Sequence, residues 1–404
     1  MTGKQLAGAP PKPSFRNVLS LPGHTTWYLA ALLIRAPVVM APLALVFVGY
    51  TAGSFALGGM LAAAHALGEA AGAPVIGRSF DTKPFVRQLR LSLGVEAAAF
   101  AVLALTASDA PVAVLLALTF IAGAAASGAP GGMRAQLSST TPEHLRPAAL
   151  GLESSLSQSV WAIAPPLASL LYAQFSAVGT LLVMAVFSAA PAFFAHRIPH
   201  AGQPQQASAP HGAPTSAGAV LKLAWPTALL SAGIMFLIGT ADVLLPARLK
   251  DVGASPTLAG PVMTAFAIAS VAAGLLYGSR RWPGSPRIQT LVLLLAAAAA
   301  FALPALTSSP WSFTAAFALG GLLYSPLMII RNLALQERLT QSTWATGFSV
   351  LYAAAGLGYG AAGLMSAAIL RTATAGTAFL ICTLTTAVIG IIALLGERLH
   401  RPAP

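Results

Sequence analysis

Apolar residues run in long blocks through this chain, and short polar or Pro/Gly-rich stretches interrupt them. Each block is long enough for a helix that crosses a bilayer, which takes about 20 residues. Counted this way, the spans are 26–48, 54–76, 91–107, 111–137, 148–173, 176–195, 223–246, 258–278, 288–307, 311–335, 344–369 and 374–395. Between the sixth and seventh lies a Pro/Ser/Gln/Ala-rich stretch, 197–220, with the composition of a flexible linker. It divides the chain into two sets of six spans, 25–196 and 221–396, flanked by polar tails at 1–24 and 397–404. The expected fold class is an all-α membrane protein of twelve transmembrane helices in two pseudo-symmetric six-helix bundles.

Composition agrees. Of 404 residues 56% are apolar and 8% are charged, with a mean hydropathy of +0.77. A soluble domain carries about 25% charged residues, so soluble enzymes and disordered chains are excluded. The formal charge of +12 contains no block of five basic residues, which argues against a nucleic-acid partner. Its placement instead orients the chain. Eighteen of the 22 Lys and Arg residues fall on the side of the two tails, whereas Arg248, Lys250 and Arg371 fall opposite and Arg35 lies inside a span. By the positive-inside rule both termini are cytoplasmic, and the first 24 residues read as a tail without a signal peptide. The lone cysteine, Cys382, rules out a disulfide framework, and the sequence implies no cofactor and no metal site. Neither a phosphate-binding Gly-rich loop ending in Lys nor an H-E-x-x-H helix is present, so no catalytic residue is assigned.

The halves echo one another. Trp27 and Trp225 stand 198 residues apart, Pro111 and Pro310 199, Arg134 and Arg331 197, and Gly77 and Gly278 201. Four matches at nearly one offset indicate an internal duplication, the organisation of transporters built from two repeats around a central site.

These residues resemble the major facilitator superfamily over roughly 25–396. The family's loop after the second helix reads G-x-x-x-D-R-x-G-R-R; here Gly77 and Asp81 keep their spacing and Lys83 and Arg87 follow, with Thr82 and Pro84 in place of the family's Arg and Gly. Ala164-Pro165-Pro166 loosely matches the fifth-helix signature of efflux members, and stretches such as Leu244 to Leu249 resemble actinobacterial efflux proteins. Thr119 stands where antiporters of the family often carry an arginine. The resemblance implies a secondary transporter, with proton-coupled efflux of a small organic or lipophilic molecule as the expectation and import or uniport as the alternative. A non-transporting receptor or scaffold is the rival class. The implied setting is a bacterial inner membrane, with the lipid bilayer, a proton and a small-molecule substrate as partners of a monomer.

Ionisable groups inside spans are costly and mark function by default. Arg35 and Glu69 lie at similar depth in the first two spans, with His65 one turn from Glu69, so a proton-coupling group of Glu69, Arg35 and His65 is expected. Its bland counterpart is a pair that only glues two helices. Gly77, Asp81, Arg134 and Glu153, all near the cytoplasmic face, form a candidate gate, against which stands ordinary interfacial charge. Glu96 reads as structural. Trp161, Gln158 and Asp242 are candidate cavity residues, Trp161 suited to stacking a flat substrate, with helix packing as the alternative. The run Gly356, Gly358, Gly360 and Gly363 reads as a close-packing surface.

Overall fold

The computed structural model describes residues 15–200, 217–278, 282–339 and 344–399. The expected linker, apart from its ends, and most of both tails lie outside these residues. After a short helix, Phe15–Leu19, come α1 (His24–Thr51), α2 (Phe55–Thr82), α3 (Phe85–Thr106) and α4, whose two pieces are Val112–Ala126 and Ala129–Thr140. One continuous helical stretch, Arg146–Phe194, breaks at Ser176 (φ 66°) into α5, residues 146–175, and α6, residues 177–194. The second half holds α7 (Ala217–Asp251), α8 (Ala259–Gly278), α9 (Pro286–Leu306), α10 (Pro310–Arg338), α11 (Trp344–Leu370) and α12 (Ala375–Leu399).

Among the described residues, ten helical stretches are long and apolar enough to cross a membrane. One of them covers both α5 and α6, and α2, which carries His65 and Glu69, is too polar to be among them. Together these make the twelve helices of two six-helix bundles, as the sequence predicts.

Some boundaries differ from expectation. The stretch from Gly77 to Thr82, expected as loop, continues α2, which carries Pro74 within it and contains no further proline before Pro84. Lys83, ahead of that proline, is extended (ψ 158°) and closes the helix. The fourth span, expected to be continuous, breaks at Ser127–Gly128, just before Pro130.

Within each bundle the same contact recurs. A Cβ on Gly123 of α4 would lie 2.1 Å from the His65 carbonyl oxygen of α2, and one on Gly321 of α10 would lie 2.1 Å from that of Phe266 in α8. The pairs are separated by 198 and 201 residues, so the duplication seen in sequence is also a duplication of packing.

The bundles meet along α2–α11 and α5–α8. Gly59 faces the Gly363 carbonyl, and Gly356 and Gly360 face Ala70 and Leu67, which gives the glycine run its packing role. On the face remote from the termini, Gly260 abuts Ser169, Thr264 Oγ1 donates to the Ala162 carbonyl (3.3 Å), and Lys250 Nζ sits 4.8 Å above the Tyr50 ring. These contacts seal the halves together on that side.

Candidate functional site

Between the bundles lies a cavity of about 460 Å³. The first half supplies Val39 and Leu43 from α1 and Trp161 and Pro165 from α5. From the second come Asp242 of α7 and a wall of α8 and α10 that includes Phe266, Ser270, Tyr324 and Asn332. Trp161 lines this space and is 52% exposed, one turn ahead of Pro165 and Pro166 in α5. The cavity is mainly apolar, with the aromatic rings of Trp161, Phe266 and Tyr324 and, among the described residues, one carboxylate, a lining suited to a flat molecule with a polar or positive end.

Asp242 is 8% exposed and accepts a hydrogen bond from Tyr359 Oη of α11 at 2.7 Å. Tyr359 also lies within electrostatic reach of Glu69, as does Tyr352. Glu69 of the first half and Asp242 of the second therefore converge on one helix. The tyrosines were missed in sequence because they are scattered through the glycine run; a polar hydroxyl recurring at Tyr352 and Tyr359, seven residues apart on one helical stripe, is the signal that marks them. Ser270 and Ser325, 2.9 Å apart in the cavity wall, gave no sequence signal, being two isolated hydroxyls on different helices.

Arg35 does not pair with Glu69. Its Nη2 bonds Glu153 Oε1, and Arg134 Nη2 reaches the same oxygen at 2.8 Å. The reason is azimuth. The face of α1 that carries Arg35 lies against α5, and similar depth does not bring it to α2. Glu153 is buried (3% side-chain exposure), Arg35 nearly so (14%), and Arg134 reaches out (57%). The three tie α1, α4 and α5 together inside the first bundle, so the expected gate pair forms but does not itself bridge the halves.

His65 is also directed into the first bundle, 2% exposed, with its ring 6.0 Å from that of Phe100. Glu96, buried in α3, lies within electrostatic reach of Glu69 and is bonded by Ser188. Gly77 backs onto the break in α4, where a Cβ on Gly128 would come 2.6 Å from the Gly77 nitrogen. The side chains of Asp81 and Gln158 lie outside the described residues.

The family model of the Major Facilitator Superfamily matches residues 27–247, more than half of the chain. No curated protein matches the sequence. Among solved structures, the nucleoside transporter NupG superposes with a TM-score of 0.72 at 14% identity, covering 92% of this chain and 98% of its own. A bacterial homologue of the human lysosomal transporter Spinster gives 0.70 at 17% identity over 98% and 100%. A POT family transporter in complex with 5-aminolevulinic acid gives 0.75 at 10% identity over 97% and 99%.

Proposed function

Because this chain belongs to the major facilitator superfamily and is a secondary transporter by fold, we propose that it exports a small, flat organic or lipophilic molecule in exchange for protons. The proposal places it in a bacterial inner membrane with both termini in the cytoplasm. The observation that carries it is the interbundle cavity that brings Trp161 and Asp242 together from opposite halves. The contacts between the bundles on the face remote from the termini support reading this arrangement as inward-facing, ready to take substrate from the cytoplasm or the inner leaflet.

In this reading Trp161 stacks the substrate and Asp242 attracts its positive end. Glu69 is the carboxyl that changes protonation between the two open states, and His65 one turn away tunes it. Tyr359, bonded to Asp242 and near Glu69, makes the two carboxyls sense one another, so that protonation on one side of the interface alters substrate hold on the other. Arg35 acts at a distance, by fixing α5 and hence Trp161, rather than by holding Glu69 charged. Gly77 and Asp81, at the end of α2, and the Arg134–Glu153 pair brace the cytoplasmic ends that must close when the cavity turns outward.

The test uses inside-out vesicles with ethidium as a flat, cationic probe. A pH gradient, acid inside, should drive its accumulation; Glu69→Gln should abolish that accumulation while leaving binding intact, and Asp242→Asn should weaken it less. Accumulation by Glu69→Gln at the wild-type rate would move the proton site elsewhere. Uptake or uniport is the second reading, favoured by Thr119, a buried hydroxyl bonded to the Leu115 carbonyl where an antiporter arginine is expected; probe movement would then ignore the gradient.

A further inference from the structure

The two halves differ at one matched position in a way that leaves positive charge unanswered. In the first bundle Arg134 shares Glu153 with Arg35. Its counterpart in the second is Arg331, and the residue 198 beyond Glu153 is Leu351. The carboxylate is missing there. Arg331 Nη1 donates instead to Ser231 Oγ (2.8 Å), whose hydroxyl passes the bond on to the Leu351 carbonyl (3.0 Å), and Nη2 donates to Asn332 Oδ1 (3.0 Å). Those acceptors are neutral, and the buried Arg331 Nε has no partner among the described residues.

Arg331 does not stand alone. With Arg287 and Arg338 it lines a cavity of about 450 Å³ enclosed by α7, α9, α10 and α12. Among the described residues that line it, Glu397 is the one carboxylate, 3.5 Å from Arg338 Nη2 and 3.9 Å from Arg287 Nε. Arg338 Nη1 is buried and lacks a hydrogen-bond partner. Three guanidinium groups against one carboxylate leave two positive charges in excess among the described lining side chains. Orphaned guanidinium N–H groups are expensive when buried and fit the forked oxygens of an oxyanion. The place also fits: Arg287 opens α9, Arg338 closes α10 and Glu397 stands near the end of α12, which sets the cavity at the membrane boundary on the termini side.

We propose that this second cavity, separate from the interbundle one, binds a phosphate-type oxyanion that takes the place of the carboxylate the second repeat lacks. Its source is a phospholipid headgroup or phosphate in solution, and the chemistry of recognition is the same for both.

The experiment measures thermal unfolding of the delipidated full-length protein in an uncharged detergent. One arm titrates sodium phosphate against sodium chloride of equal ionic strength; the other titrates short-chain phosphatidylglycerol against an uncharged glycolipid of similar chain length. A saturable rise in Tm is expected in at least one arm. A rise with both probes, or with phosphate alone, assigns a soluble anion, and one with the lipid alone assigns a headgroup. Arg331→Gln and Arg338→Gln should each weaken apparent affinity by about tenfold, the loss of one charge-assisted contact. Leu351→Glu restores the carboxylate of the first repeat and should remove the response in a folded protein, which keeps the test decisive if the arginine variants do not fold. No anion-specific rise in the wild type, or an unchanged response in Arg331→Gln or in Leu351→Glu, overturns the proposal.

Discussion

At the residue scale, the first bundle turns on Glu153, whose single oxygen answers two arginines. Removing its charge strands Arg35 in a buried place, so Glu153→Gln should destabilise the protein by about 3 kcal/mol. Arg134 reaches water, and Arg134→Gln should cost less than about 1 kcal/mol; denaturant unfolding in mild detergent, followed by tryptophan fluorescence, separates the two. Equal losses would mean that Arg134, not Arg35, is the partner that matters. The identity of these residues as intramembrane ionisable groups was legible in the sequence, but their pairing was not. Counting residues along a span gives depth at ~1.5 Å per step. It gives no bearing around the helix axis relative to neighbours, so Glu69 satisfied the depth condition for Arg35 while Glu153, read as a partner of Arg134 alone, is the carboxylate that Arg35 meets.

At the scale of elements, glycine decides how close helices approach. Gly123 meets the His65 carbonyl where any side chain would collide, whereas a methyl group on Gly94, inside α3, would meet nothing within 4 Å. Gly123→Ala should therefore destabilise by about 3 kcal/mol through overpacking, and Gly94→Ala should stabilise by about 0.5–1 kcal/mol through helix propensity. Thermal melting of the two variants checks the contrast, and similar melting points would refute the packing. The helix count was legible because lipid demands long apolar runs and tolerates little else. The ends were less so. Polar Gly77–Asp81 looks like loop, yet polarity does not stop a helix, and α2 runs on until the turn at Lys83–Pro84.

At the scale of the whole molecule, the repeat is what sequence showed most clearly, since matched Trp, Pro, Arg and Gly positions at one offset survive even where the halves have diverged. The cavity was not legible, because its wall draws scattered residues from five helices and their facing depends on how the bundles dock. Trp161 and Asp242 stood out only because each is chemically unusual for its surroundings. Topology can be tested directly, because Cys382 is fully buried and supplies a silent background. A cysteine at Asp109, between α3 and α4, should react with an impermeant thiol reagent in intact cells, and one placed within 201–216 should not. The opposite pattern would invert the orientation.

The bond between Arg35 and Glu153 spans 118 residues of chain, and this has a consequence for biogenesis. As the chain is synthesised, α1 enters the membrane with its arginine long before α5 exists to neutralise it. At roughly 5–20 residues per second that wait is on the order of 10 s. During it, α1 must remain beside the insertion machinery or keep Arg35 hydrated at the bilayer edge, rather than settle among lipids. A chain ending after Thr140 should consequently be degraded faster than one ending after Phe194 in a pulse-chase, and Arg35→Leu should erase the difference. A helix made early is thus among the last to be released.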